Sequence, residues 1–384
     1  MIMFDSGSHG ECTAPAIWSG DDALAISRQS ISFTPLIQEA DIFRIAEDLD
    51  IWDAWPVQND DGYPSEIRPG ETLWMALGSP RFDDPDERHG HARIHLLRRV
   101  YDRWHHLGPV MPDGFSPGSR EWSGSALLHP DQRTLTLFFT ATGRRGEADL
   151  TFEQRLFSAQ ATLSGDGEAC AFSHWRDLQE IVTRDPALYM GGDEGTGKIG
   201  TIKAFRDPAY FRDPADGKRF LFFAGSRAAT IAEFNGVIGA IEALPMGKPD
   251  WQLQPPLVDA TDVNNELERP HVVHHDGSYY LFWSTQSHVF APKYASAPTG
   301  LYGMVATSLD GPWVPLNATG LVFGNPEAAP RQAYSWLVLP DLSVISFVDD
   351  WGRERHAEGR RRFGATFAPT LHLRLSGAEA MLAS

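Results

Sequence analysis

The sequence predicts an all-β protein assembled from repeated four-stranded antiparallel sheets, and three observations carry that expectation. Turn formers are dense, with 35 glycines and 27 prolines spread along 384 residues, and each marks a point where regular structure breaks. The segments between the breaks are short and rich in β-branched and aromatic side chains: residues 72–77 (TLWMAL), 134–140 (TLTLFFT), 219–224 (RFLFFA), 278–283 (SYYLFW) and 342–348 (LSVISFV). Turn chemistry such as Asp216-Gly217-Lys218 or His275-Asp276-Gly277 precedes them, as in hairpins and meanders. Helical periodicity, finally, is scarce. Residues 93–104 and 151–162 invite a helix, but their apolar spacing is poor and neither opens on a convincing cap. A β-propeller accommodates this pattern, with a sandwich or barrel as the alternative. No low-complexity linker divides the chain, so residues 1–384 are expected to form one domain, the first 35 residues being an irregular wrap around the outside.

Composition excludes several functions. With 33 Lys+Arg against 51 Asp+Glu the net charge is −18, the wrong sign for a nucleic-acid backbone or an anionic membrane surface. No apolar run is long enough to span a bilayer. Hydrophobic residues at 42% and charged residues at 22% fit a globular chain rather than a disordered one. Two cysteines, Cys12 and Cys170, are too few for a disulfide framework and lack zinc-site spacing, though they could form one bridge. The opening MIMFDSGSHGEC has neither a basic nor an apolar region, so no ordinary signal peptide is expected.

Three motifs resemble catalytic or binding signatures without their context. Gly114-Phe115-Ser116-Pro117-Gly118 satisfies G-x-S-x-G, but a nucleophile elbow needs a strand before the serine and a helix after it; proline follows directly, and the segment reads as a loop. Gly192, Gly197 and Lys198 match half of a P-loop, yet Ile199 stands where the magnesium-binding hydroxyl belongs, and Asp193 and Glu194 would repel phosphate. A glycine-rich turn is the better reading. His89, His91 and His95, the pair His105 and His106, and the group His271, His274 and His275 have metal-like spacing. No acidic ligand accompanies them at a fixed interval, so structural or surface roles are expected and no metal is assigned.

Three settings of carboxylates are unusual for surface charge. Asp53 lies within the apolar run IWDAWPV, where burial is costly unless the side chain faces a polar cavity; a strand-end cap is the bland alternative. Asp50, Asp60 and Asp61 sit in blander flanking segments. The tripeptide Arg-Asp-Pro occurs at residues 184–186, 206–208 and 212–214, and only Asp207 has apolar neighbours on both sides. Asp185 and Asp213 read as turn formers. In Asn265-Glu266-Leu267-Glu268-Arg269-Pro270 the two glutamates point to the same side of a strand. Their repulsion should raise at least one pKa, the condition a general acid requires near neutral pH; a solvated strand end is the alternative. Twelve tryptophans, with Trp52, Trp55 and Trp122 beside polar groups, add aromatic faces suited to sugar C–H surfaces, although core packing explains most tryptophans. Together these residues suggest a carboxylate-dependent glycosidase.

Several segments, in order along the chain, resemble glycoside hydrolase family 68, which holds levansucrases, inulosucrases and related β-fructofuranosidases: IWDAWPVQ, PDGFSPGSREWSGSA, AFRDPAYF, NELERPHVV, GLYGMV and QAYSWLVLP. The similarity runs from about residue 33 to the closing FAPTLHLRL. The resemblance implies a five-bladed β-propeller with an acidic axial pocket that takes sucrose, without a cofactor. It implies Asp53 as nucleophile, Asp207 as transition-state stabiliser and Glu268 as general acid/base. Trp52, Trp122, Ser123, Arg206, Glu266 and Tyr334 are expected to line the pocket, and His288 to help place the glucose or acceptor unit where Gram-positive members carry arginine. Those members bind a structural calcium through aspartates at positions that here correspond to Thr201 and Asn265, which makes a calcium site unexpected. The implied reaction is retaining transfer of a fructosyl unit from sucrose to a growing levan or fructooligosaccharide, or to water. A sucrose-hydrolysing β-fructofuranosidase shares every catalytic residue, and a non-catalytic sugar-binding propeller is the alternative from another class. Gram-negative relatives are often exported without a cleaved signal peptide, so an extracellular site is expected, with the cytoplasm as alternative.

Overall fold

The computed structural model describes residues 14–192, 202–244, 251–351 and 362–383, and over these it is all-β. Five successive groups of four antiparallel strands carry the architecture. The first holds β1 (Leu49–Gln58), β2 (Glu71–Pro80), β3 (Arg93–Val100) and β4 (Arg103–Pro109). The second holds β5 (Arg120–Leu128), β6 (Thr134–Thr142), β7 (Gln154–Ser164) and β8 (Ala171–Glu180). The third holds β9 (Phe205–Arg212), β10 (Arg219–Ser226), β11 (Gly236–Ala243) and the short β12 (Val258–Asp259). The fourth holds β13 (Glu268–His275), β14 (Ser278–Thr285), β15 (Gly300–Ala306) and β16 (Leu321–Gly324). The last holds β17 (Ala333–Val338), β18 (Ser343–Val348), β19 (Leu371–Ser376) and β20 (Glu379–Leu382). Strands adjacent in each group are adjacent in the sheet.

The five short apolar runs of the sequence are the second strands, β2, β6, β10, β14 and β18. Each is flanked by partners on both edges and largely buried on both faces, which is why most of them read as apolar runs, with Thr and Ser interrupting residues 134–140 and 342–348. Residues 93–104 and 151–162 fall on β3, β4 and β7, so their poor helical spacing was the true signal. Residues 114–118 form a loop ahead of β5, with the Gly118 N–H on Ser116 Oγ at 3.3 Å.

The first strands of the groups touch one another in a closed series: β1 meets β5, β5 meets β9, β9 meets β13, β13 meets β17, and β17 returns to β1. Among the described residues only β1 and β5 of these five form a backbone ladder, in parallel, through Val57–Ala126 and Gln58–Leu127; the others are joined through side chains. Each of the five is interrupted at the same relative place. Register shifts fall between Trp52 and Trp55, Trp122 and Gly124, Arg206 and Ala209, Glu268 and His271, and Tyr334 and Leu337. Asp53, Asp207, Arg269 and Ser335, at these bulges, adopt left-handed backbone with φ of 48°, 66°, 49° and 62°. A bulge lets consecutive side chains leave a strand on the same side, where regular pleating would send them to opposite faces.

The N-terminal stretch departs from expectation. Ala16–Ile17 pairs in parallel with β12, and Gly20–Ile26 is an α-helix (α1) whose Ser19 cap and Asp22 bond reciprocally. Two turns are too few for periodicity to reveal; the cap pair was its only sequence mark. The indole of Trp18 is fully buried and donates to Thr319 O at 2.9 Å, fixing this stretch to the fourth group.

Gly124 shows how tightly the bulges are built. A Cβ there would lie 1.9 Å from Phe138 O and 2.8 Å from Phe139 Cα, both backbone atoms that no side-chain rotation relieves. Gly124→Ala should cost about 2 kcal/mol or more of stability, read as a lowered urea midpoint with an unchanged m-value.

Candidate active site

A cavity of about 740 Å³ opens at one end of this ring of first strands. Five consecutive pairs line it, one from each strand: Trp52–Asp53, Trp122–Ser123, Arg206–Asp207, Glu268–Arg269 and Tyr334–Ser335. The register shifts described above fall at these pairs, so the bulges aim both members of each pair inward. Glu266 joins them from the segment preceding β13, and His288 from the short helical turn Ser287–Val289 after β14. All ten residues that the family resemblance assigned to the site therefore reach one cavity. Trp55 does not: it is buried on the far side of the bulge, so of the three tryptophans beside polar groups it belongs to the packing.

Hydrogen bonds fix each carboxylate. Asp53 Oδ2 accepts from Ser123 Oγ at 3.0 Å, and Ser335 donates to the same carboxylate. Asp207 Oδ2 accepts the Arg269 N–H at 3.3 Å and lies 3.7 Å from Arg206 Nε, while the Asp207 N–H donates to Thr140 Oγ1 at 2.9 Å. Arg206 Nη2 spans the glutamate pair, 3.1 Å from Glu266 Oε2 and 2.6 Å from Glu268 Oε1, and the Tyr334 hydroxyl donates to Glu268 Oε2. Arg269 is held from behind by Ser335 Oγ at 2.9 Å and Ala54 O at 2.7 Å. The other two Arg-Asp-Pro aspartates are turn formers: Asp185 takes the Ala187 N–H and Asp213 the Ala215 N–H, each at 2.8 Å.

Burial and mutual repulsion set the protonation states. Burial pushes Asp207 up to about 7; Arg206 opposes this, and Glu268 and Asp53 reinforce it. Asp53 is also raised by burial, against Arg269 and the two serine hydrogen bonds. Burial lifts Glu266 as well, beyond what Arg206 recovers. Glu268 is buried too, but Arg206, Tyr334 and a hydrogen bond from Glu266 together bring it below its ordinary value. The pair thus shares one proton near neutral pH, Glu266 being the more readily protonated member. Of the two, Glu268 is the more open to the cavity, 19% exposed against 9% for Glu266.

Sequence reasoning missed Arg269 and Ser335, whose only mark was adjacency to Glu268 and Tyr334, and it missed the rim. There Arg88 stacks on Trp52 at 5.4 Å and on Phe363 at 4.3 Å. His89 lines the cavity. His91 lines it as well, whereas His95 Nδ1 meets His106 Nε2 at 2.8 Å across β3 and β4, and buried His271 bonds Arg269 O and the Val338 N–H. Among the described residues no group of three or more His, Cys, Asp or Glu side chains is placed to hold a metal. Asn265 Oδ1 instead accepts the Lys203 ammonium at 2.7 Å. Thr201, Cys12 and the P-loop-like Asp193, Glu194, Gly197, Lys198 and Ile199 lie outside the described residues; Cys170 is buried.

Paired carboxylates with graded proton affinity, beside tryptophan faces and hydroxyl donors, define a class: a site for carboxylate chemistry on glycosidic bonds. The chain belongs to glycoside hydrolase family 68, since the family model described as Levansucrase/Invertase matches residues 8–235 and 227–383. A levansucrase of Rahnella aquatilis is 31% identical over 94% of this chain and 93% of its own length. A levansucrase of Pseudomonas savastanoi pv. glycinea is 32% identical over 94% and 89%. Among solved structures, an inulosucrase from Halalkalicoccus jeotgali bound to kestose superposes with a TM-score of 0.85 at 34% identity, covering 96% of this chain and 95% of that one. The catalytic domain of a β-fructofuranosidase from Microbacterium saccharophilum K-1 shares the fold, with a TM-score of 0.84 at 23% identity, over 99% and 92%.

The raised Asp207 gives a pH-dependent prediction. A carboxyl whose folded pKa of about 7 exceeds its ordinary 3.8 contributes stability that is full below pH 4 and lost as pH rises through 7. Asp207→Asn removes that loss. Its melting temperature should therefore gain on the wild type from pH 4 to pH 8; a constant offset across that range would contradict a buried proton at Asp207.

Proposed function

We propose that this chain is a retaining fructosyltransferase that cleaves sucrose, releases glucose and passes the fructosyl unit to a growing levan or fructooligosaccharide, or to water. The observation that carries the reading is the convergence of Asp53, Asp207 and the Glu266–Glu268 pair in one cavity, each held by its own donors. The five groups of strands, with first strands in closed contact, support a five-bladed β-propeller whose axial pocket is this cavity, and residues 1–384 as a single catalytic domain.

In this reading Asp53 attacks C2 of the fructosyl unit as the C2–O bond to glucose breaks. Ser123 and Ser335 hold its carboxylate in place. The departing glucose oxygen takes a proton from Glu268, which draws on the proton shared with Glu266 as the seated sugar excludes water. Tyr334 and Arg206 orient Glu268 for that transfer. Asp207 hydrogen-bonds fructosyl hydroxyls and steadies the oxocarbenium-like transition state. In the second half, Glu268 removes the proton of the incoming hydroxyl, the new C2–O bond forms, and Asp53 leaves as carboxylate. Trp52 and Trp122 offer apolar faces to the sugars, and His288, at the more open end, places the glucose or acceptor unit. Nucleophile, acid and base are all side chains, so the reaction calls for no cofactor. A polymer of fructosyl units does not recross a bilayer, so we place the reaction outside the cell; among the described residues no helix is long and apolar enough to cross a membrane.

The test follows free glucose and free fructose separately after sucrose is added. Glucose in excess over fructose, with the missing fructose in oligomer or polymer, is expected; equal release would make the chain a hydrolase, and neither sugar a binding protein. Asp53→Asn and Glu268→Gln should each keep the fold, by circular dichroism and melting temperature, and lower kcat about 100-fold or more.

A further inference from the structure

Lys203, three residues before Arg206, is 7% exposed yet carries an ammonium group. Its three protons have three acceptors: Asn235 Oδ1 at 2.7 Å, Asn265 Oδ1 at 2.7 Å and Glu233 O at 2.5 Å. The lysine thus joins three segments, the entries to β9 and β11 and the segment that presents the glutamates. Gln154 on β7 clamps its backbone by donating to Lys203 O at 2.9 Å. A buried ammonium saturated by three oxygens is a fixed internal cation.

Its effect on the site runs through Asn265. An ammonium only donates, so Asn265 must turn its carbonyl toward Lys203 and its NH2 the other way. That NH2 donates to Glu266 Oε1 at 3.3 Å and to Ile202 O at 3.4 Å. A flipped amide would set NH2 against ammonium and carbonyl against carboxylate, two repulsions at once. Asn264 adds its Oδ1 to the Glu266 N–H at 2.8 Å and is itself held by Thr285, so the backbone and side chain of Glu266 are located independently.

We infer that Lys203 is a positioning residue for the glutamate pair, an internal cation that fixes the Asn265 amide against Glu266 and so sets how firmly the pair holds its proton. This rests on the reading of Glu268 as proton donor. Other charges face the pair: Arg206 touches both glutamates, Tyr334 bonds Glu268, Asp207 and Asp53 repel from β9 and β1, Arg269 lies alongside Asp207, and His288 stands at the open end. Burial works against the charge on Lys203, and Glu266, through space, and Glu233 both support it. The lysine differs from Arg206 in touching neither carboxylate, so it can tune the pair without blocking the sugar.

The test is the pH profile of kcat/KM on sucrose for the wild type, Lys203→Met, Asn265→Ala and the double variant. Losing the cation and the oriented amide raises the pair's proton affinity, so the basic limb should move up by about one pH unit. The acidic limb, set by Asp53, should stay in place, and kcat at pH 6 should fall about tenfold. Because both changes break one relay, the double variant should be no worse than the poorer single one. A lysine that only braces the fold would lower the melting temperature and scale kcat equally at every pH, with both limbs unmoved; that result overturns the inference. If Lys203→Met fails to fold, Asn265→Ala, which leaves the ammonium on Asn235 and Glu233, decides by the same limb. Undiminished turnover in Glu268→Gln would sink the proton-donor reading itself, so the two failures are distinguishable.

Discussion

Arg206 is the contact on which the site depends. One guanidinium nitrogen lies within 3.1 Å of Glu266 and 2.6 Å of Glu268, and its Nε is 3.7 Å from Asp207. Without it, three buried carboxyls would face one another with little water to screen them, and proton uptake would be the only relief. With it, the repulsion is balanced unevenly: Glu268 can remain ionised while Glu266 and Asp207 stay partly protonated. A planar group that presents five donors in a fixed fork and stays charged when buried suits a place where oxygens of three carboxyls converge. Its own proton is held more firmly still by the surrounding carboxylates.

The scaffold delivers these groups by repeating one irregularity. A flat strand could present every second residue to the axis, which would give Asp53 without Trp52, or Arg206 without Asp207. The bulge removes that limit. It requires left-handed backbone at Asp53, Asp207, Arg269 and Ser335, a conformation costing roughly 1–3 kcal/mol at each non-glycine residue. The backbone bonds at these positions show what offsets it: Asp207 N–H on Thr140, Arg269 N–H on Asp207, and Trp336 N–H, one residue past Ser335, on Ser284 Oγ. Neighbouring strands therefore hold one another's bulges, and the strain at one member of the ring is supported by the next.

This explains which parts of the protein were legible in the sequence. The second strands were plain, because burial on both faces leaves a largely apolar run. Asp53 and Asp207 stood out because a carboxylate amid aromatic and aliphatic neighbours is expensive to bury without purpose. The bulges left no such mark. Left-handed backbone is usually advertised by glycine or asparagine, and here it is occupied by aspartate, arginine and serine chosen for their chemistry. Arg269 and Ser335 were hidden for that reason, since alternation assigns them to the face opposite Glu268 and Tyr334. Lys203 was hidden differently: its acceptors are 30 to 62 residues away, and no local pattern reports a partner at that range.

The division between floor and rim bears on what such a chain can become. The floor is made of strand residues locked by bulges and by one another's hydrogen bonds, so a change there disturbs the protonation of several carboxyls together. The rim is made of loops: Arg88 and His89 on the turn after β2, Leu150 and Phe152 before β7, Gln286 and His288 after β14, and Arg331 before β17. Of these, His288 lies within the field of Glu268, and Leu150 stands 56% exposed at the mouth. Attack on a fructosyl-enzyme by water needs nothing from the rim, whereas attack by a sugar hydroxyl needs an acceptor held long enough to compete with water. Selection for transfer or hydrolysis can therefore act on loop residues one at a time, while the bulged floor, common to both outcomes, stays as it is.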